Sequence, residues 1–319
     1  MIKKCCPPPI ERDQVKKKEI SVSVLQNTSS TGYRHHENMI EMAGGEFLMG
    51  TADPESFIED GEGPVRPVQL KPFYIDRYAV TNAQFQEFIL ETGYITDAER
   101  YGWSFVFHLF VSDEMKRSIQ NVVQQTPWWY QVDGACWKHP EGRDSSIVNR
   151  MEHPVVHVSW NDAQAYCSWS GKRLLTEAEW EYAARGGLIQ KKYPWGDILT
   201  PMGKHSCNIW QGVFPTLDLG NDGFIGTAPV DAYAPNHYGL YNMVGNVWEW
   251  CSDWFTNRHL GEEIVIDPKG PRTGDEKVIK GGSYLCHKSY CNRYRVAARS
   301  HNTVDSSTGH MGFRCAADL

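Results

Sequence analysis

The stretch after Gly187 constrains the fold most. From there to about Val278 the chain shows no sustained alternation and no helical period. NIWQGVFPTLDLGNDGFIGTAPV and NHYGLYNMVGNVWEW set single large apolar residues among Asn, Asp and Gly. Ordered loops this long are uncommon in a compact domain and need a clamp or a function. Twelve Trp and 28 Gly, spread evenly from Gly44 to Phe313, point the same way. Large rings fill the space between irregular segments, and glycines let the backbone turn sharply. With no composition break that would mark a linker, residues 38–319 read as one domain. Residues 1–37, Lys-rich with Pro7, Pro8 and Pro9, read as a flexible tail. Cys5 and Cys6 read as an unstructured pair within it.

Regular elements are few. IEMAGGEFLMG suggests a hairpin turning at Gly44–Gly45, and VQLKPFYIDRYAVT a strand. Thr81 and Gln84 form a capping box before Phe85, Phe88 and Ile89 at helical spacing, with Gly93 as the stop. Further helices are expected from Asn161 to Ser170 and from Thr176 to Gly186, the second with Thr176 and Glu179 as its box. Trp180, Ala183 and Ala184 form its buried stripe. Strand character returns at Val278–Leu285 and Gly312–Ala316. The class is α+β with much irregular backbone.

A net charge of −7 and the lack of a dense basic run argue against nucleic acid as a partner. No apolar run reaches the roughly 18 residues that span a bilayer. The first residues carry charge without an apolar core, so a secretory signal is not expected and the location expected is cytoplasmic. Nine cysteines, scattered and odd in number, fit reactive thiols better than a disulfide framework.

Chemistry concentrates in KGGSYLCHKSYCNRYRVAARSHNTVDSSTGHMGFRCAAD, Lys280 to Asp318. Cys286 and Cys291 stand in a C-x4-C spacing after a double glycine, among Tyr284, His287, Tyr290, Arg293 and Arg295. From spacing alone they suit a disulfide or dithiol, a soft-metal site, or two ordinary thiols. Asn208 and Asp222, or Asn242 and Glu249, could supply oxygens to hard cations, but the same residues build ordinary turns. Trp128, Trp129 and Trp137 suit either core or the wall of a peptide groove.

The Lys280–Asp318 block resembles the active-site segment of the formylglycine-generating enzymes, the sulfatase-modifying oxidases, and the likeness extends from Met39 to Leu319. It implies their irregular fold, related to C-type lectins. It implies a copper-dependent oxidase that converts the cysteine of a Cys-x-Pro-x-Arg motif in an unfolded sulfatase to Cα-formylglycine, using O2 and a thiol reductant. Cys286 and Cys291 would hold Cu(I); Ser283, Tyr290 and Trp248 would line the centre. Two structural calcium ions are implied. One would use Asn208, the Ile209 carbonyl, Asp222 and the Phe224 carbonyl. The other would use Asn242, the Gly245 and Val247 carbonyls, and Glu249. Asp97, Glu99 and Asp133 are acidic candidates for the substrate arginine. Cys167 and Cys315 match positions where the family can form a disulfide; Ala184 and Val296 stand where other members have a second bridge. A monomer is expected. The competing reading is a non-enzymatic, C-type-lectin-like binding module, opposed by the presence of both Cys286 and Cys291. An iron-dependent sulfoxide synthase would need a His-rich helical domain, and the tail offers none.

Overall fold

The computed structural model describes Pro7 and residues 38–119, 123–259 and 263–319. The expectations for the tail and for Cys5 and Cys6 lie outside these residues. Strands and helices are numbered in chain order.

Helices form where local signals demand them. Helices α1 (Asn82–Thr92), α2 (Asp97–Tyr101), α4 (Trp160–Ser170) and α5 (Glu177–Arg185) each start on a reciprocal capping box. Each ends at a left-handed glycine that satisfies a last-turn carbonyl. Helix α3 (Asp113–Ser118) has only the Ser112 cap. Phe85 and Phe88 of α1, and Trp180, Ala183 and Ala184 of α5, are buried as their spacing predicts.

Two four-stranded sheets carry the core. One runs β1 (Met39–Met42), β4 (Phe73–Asp76), β15 (Cys315–Asp318) and β7 (Arg173–Leu174). The other runs β13 (Arg299–Thr303), β12 (Glu276–Lys280), β10 (Trp248–Trp254) and β14 (Met311–Phe313), with β10 and β14 parallel. A three-stranded sheet joins β11 (Val265–Ile266), β3 (Arg66–Leu70) and β2 (Gly45–Met49). Two antiparallel strand pairs complete the set: β5 (Trp103–Phe107) with β6 (Trp129–Asp133), joined through α3, and the hairpin β8 (Gly212–Val213) with β9 (Leu217–Asp218).

The hairpin expected at Met39–Gly50 is absent. β1 pairs with β4 and β2 with β3, so Gly44 connects two sheets. A Cβ on Gly44 would lie 2.4 Å from the Leu70 carbonyl oxygen, so the crossing needs a bare backbone there. The single strand expected over VQLKPFYIDRYAVT is divided into β3 and β4 at Lys71–Pro72. Among the described residues no helix is long and apolar enough to cross a membrane.

Candidate active site

The two cysteines lie in a loop whose ends are pressed together. Gly281 and Gly282 leave β12 with φ of 93° and 72°. A Cβ at residue 282 would meet the Arg293 carbonyl oxygen at 2.9 Å and the Tyr294 Cα at 3.1 Å. Only glycine allows that approach. Inside the loop, the His287 carbonyl accepts N–H bonds from Tyr290 and Cys291 at 2.9 Å and from Asn292 at 3.2 Å. This turn folds the C-x4-C spacing back on itself. The Cys286 and Cys291 sulfurs stand 2.8 Å apart, and both residues are fully buried.

Ser283 is fully buried beside them. Its backbone N–H points at Cys286 Sγ, 3.4 Å away, and its hydroxyl accepts from the Leu285 N–H at 3.3 Å. His287 bonds through Nδ1 to the Ser289 hydroxyl at 2.8 Å. Burial, and then Lys288, hold its imidazole below the usual range.

Aromatic rings wall the loop. Tyr290 stacks on Phe214 with centroids 4.4 Å apart and planes 7° apart, and Trp128 meets Tyr290 edge-on at 4.8 Å. The three tryptophans of the 127–142 segment therefore separate. Trp128 is half-buried at this wall, while Trp129 and Trp137 are core. Trp248 is fully buried in the same core cluster as both cysteines, and its indole N–H has no hydrogen-bond partner among the described residues.

An acidic strap holds the far side. Asp60 binds Arg293 Nε at 2.6 Å, and Glu62 takes Arg295 in a bidentate pair at 2.5 and 2.7 Å. Phe57 lies under the Arg293 guanidinium at 4.2 Å. Arg293 also reaches the Cys291 carbonyl at 3.5 Å, and Arg295 Nε donates to the Asn292 carbonyl at 2.8 Å. Sequence reading missed Asp60 and Glu62. Their signal was charge matching, FIEDGEGP against RYRVAAR.

The donor chemistry at the cysteines is two thiol sulfurs and nothing harder. Among the described residues no group of three or more His, Cys, Asp or Glu side chains converges as a metal site. Two sulfurs suit a soft, low-coordinate ion and do not make a four-ligand zinc site.

The oxygen-rich loops lie close by. The Trp210 N–H donates to the Cys286 carbonyl at 3.1 Å, so the first loop is pinned to the cysteine turn. In that loop the Ile209 carbonyl and the Asp222 carboxylate both face the Gln211 amide nitrogen, which lies 2.8 Å from Asp222 Oδ2. The Asp222 carboxylate also accepts the Phe224 N–H at 3.1 Å, while the Asn208 amide donates to the Gly226 carbonyl at 2.9 Å. In the second loop Asn242 donates to Val230 at 2.9 Å, and its Oδ1 is buried without a partner among the described residues. The Gly245 N–H donates to Gly281 at 2.9 Å, tying this loop to the cysteine loop, and Val247 is buried beside it. Glu249 is engaged by Arg314 at 2.9 Å and by the Trp180 indole at 2.8 Å.

Other candidates lie in structural roles. Asp97 accepts from Ser159 and Asn161 at 2.7 and 2.9 Å; Glu99 caps α2 and pairs with Lys138 at 3.0 Å. Asp133 is exposed at the end of β6. The Cys167 and Cys315 sulfurs are buried in contact at 3.6 Å, as two thiols. Ala184 and Val296 are fully buried.

Residues 26–319 match the Sulfatase-modifying factor enzyme 1-like domain. The chain is 64% identical to the formylglycine-generating enzyme of Thermomonospora curvata, over 88% of this chain and 94% of that protein. It is 47% identical to the inactive C-alpha-formylglycine-generating enzyme 2 of Bos taurus, over 88% of each. In fold it is similar to PvdO from Pseudomonas aeruginosa, with a TM-score of 0.64, 24% identity, and 88% and 94% of the two chains covered.

Proposed function

The chain belongs to the sulfatase-modifying factor family of formylglycine-generating enzymes, and from that premise we propose that it converts a sulfatase cysteine to Cα-formylglycine. The observation that carries the proposal is the buried meeting of Cys286 and Cys291 at 2.8 Å beneath an aromatic wall.

The finer reading is a copper oxidase acting on a Cys-x-Pro-x-Arg segment of an unfolded sulfatase. Cys286 and Cys291 would hold Cu(I) as paired thiolates. Bound there, the ion would supply dioxygen chemistry and a place for the substrate thiolate. The chain supplies the remainder. The Ser283 N–H holds Cys286 Sγ in orientation. Tyr290, Phe214 and Trp128 keep water from the sulfurs and offer an apolar shelf to the substrate proline. Trp248 packs below. The electron balance requires a co-reductant. Thiol to aldehyde yields two electrons and O2 accepts four, so two external thiols become a disulfide while hydrogen sulfide and water leave. Two calcium ions would clamp the loops at residues 208–224 and 242–249.

The second reading is a non-enzymatic, C-type-lectin-like binding module; an inactive bovine protein, at 47% identity, is similar to this chain, although the bovine formylglycine-generating enzyme is more so at 59%. A mass-spectrometric assay on a Cys-x-Pro-x-Arg peptide separates the two. An aldehyde product that needs copper and O2 supports the oxidase. No product under any metal condition sinks it.

A further inference from the structure

We propose that the β8–β9 hairpin, with Ile225 beside it, is an apolar docking surface for the segment of unfolded sulfatase that flanks the Cys-x-Pro-x-Arg motif. The inference rests on the oxidase reading above and deepens it by naming what holds the substrate outside the motif.

Four large apolar side chains stand in solvent within one short stretch. Val213 is 62% exposed, Leu217 51%, Leu219 54% and Ile225 64%. Val213 and Leu217 are directly opposed in the β8–β9 register, so their side chains share one face. Leu219 lies against Gly212, where a Cβ would meet its Cγ at 3.1 Å. Ile225 lies against Gly220, where a Cβ would meet its Cγ1 at 3.2 Å.

Other groups mount the hairpin. Phe214, at its turn, stacks on Tyr290 and meets Trp128 edge-on at 5.2 Å. His108 Nε2 donates to the Pro215 carbonyl at 2.9 Å, and the Asp218 carboxylate accepts the Gln211 N–H at 3.1 Å. Apolar groups left in water add nothing to the stability of so small a sheet. A cluster of them on a surface marks an interaction site.

The occupant follows from where the patch begins. Val213 adjoins Phe214, and Phe214 belongs to the wall over Cys286 and Cys291. A chain whose cysteine reaches the sulfurs and whose proline rests on that wall needs only to continue past Phe214 to meet Val213 and Leu217. An extended segment advances about 3.3 Å per residue, so a few residues span the hairpin. An unfolded polypeptide presents apolar side chains to such a surface, and a folded one keeps most of them inside. The patch therefore also favours the unfolded substrate over the folded one.

The test compares three peptides with the same motif. One is flanked by Ser and Gly, one has Leu and Val before the motif, and one has them after it. Copper-loaded native enzyme should turn over one of the apolar peptides with kcat/KM about tenfold above the Ser-Gly peptide, chiefly through KM, since one buried leucine is worth about that much. Whichever flank responds gives the direction of the bound chain. Val213→Ser combined with Leu217→Ser should erase the preference and leave turnover of the Ser-Gly peptide unchanged. Leu217→Ser alone carries the test if the double variant does not melt cooperatively. Native enzyme that treats the three peptides alike, or a variant that keeps the preference or loses all three peptides equally, overturns the docking surface while the oxidase reading stands. No turnover of any peptide refutes the oxidase reading and the docking surface with it. Sedimentation equilibrium completes the test: a native dimer that becomes monomeric in the variant assigns the patch to a second copy and overturns the proposal.

Discussion

Removing the charge of Glu62 tests the strap behind the cysteine loop. Glu62 and Arg295 form a bidentate pair with side chains 0% and 2% exposed. Burial pushes the Glu62 carboxyl above its usual range, despite the pull of Arg295. A raised folded pKa gives stability that is full below the unfolded value and lost as pH rises through the folded one. At neutral pH, then, desolvation outweighs attraction, and the pair specifies geometry more than it stabilises. Glu62→Gln leaves the Arg295 guanidinium buried without a counter-charge, at a cost of about 3–5 kcal/mol. Glu62→Gln with Arg295→Met removes both charges and should recover at least half. Unfolding entropy is about 2.1 cal/mol/K per residue, so for a domain of this size the single variant should melt about 5–8 °C lower. Urea unfolding of native, both single variants and the double variant closes the cycle. The reasoning is refuted if Glu62→Gln lies within about 1 kcal/mol of native, or if the double variant is no more stable than the single.

Cys286→Ala and Cys291→Ala should each abolish peptide turnover while costing only about 1–2 kcal/mol in urea unfolding; full activity in either sinks the two-thiol chemistry. Trp128→Ala should raise KM more than it lowers kcat, since one aromatic contact at the wall is worth about 0.5–1.5 kcal/mol; an unchanged KM removes Trp128 from the substrate shelf. If calcium clamps the irregular loops, chelation should lower the melting temperature, by the equivalent of about 2.7 kcal/mol when the ion had been at a hundredfold its Kd; an unchanged melting curve disproves it. Burial holds His310 down to about 3, so its contribution is full above the unfolded value and lost as pH falls toward the folded one. His310→Asn should therefore lose about 2 kcal/mol less stability than native between pH 7 and pH 5. Equal losses would show that this imidazole does not contribute.

What was legible follows from where the signal is local. The boxes at Thr81 and Thr176, and the Gly93 and Gly186 stops, lie within one turn of their helices and were readable directly. Helix α2 has an equally good box, Thr96 with Glu99, but Asp97 and Glu99 were read as substrate acids. Strand β10 was missed for a different reason. It lies inside its sheet with Trp248, Glu249, Trp250 and Cys251 all buried, so no alternation marks it. At the site, C-x4-C and the double glycine named the cysteine loop. Its partners Asp60 and Glu62 come from distant chain, and nothing local announces a contact across more than two hundred residues.

The placement of β15 bears on how the protein is made. It inserts between β4 and β7, as an inner strand of a sheet whose outermost strand comes from the first described residues. On a ribosome, β4 waits for a partner encoded roughly 240 residues later, so its edge stays open until that strand emerges. Folding of that sheet therefore waits for residue 318 to emerge, and a chaperone that covers β4 until then should raise the yield of soluble protein.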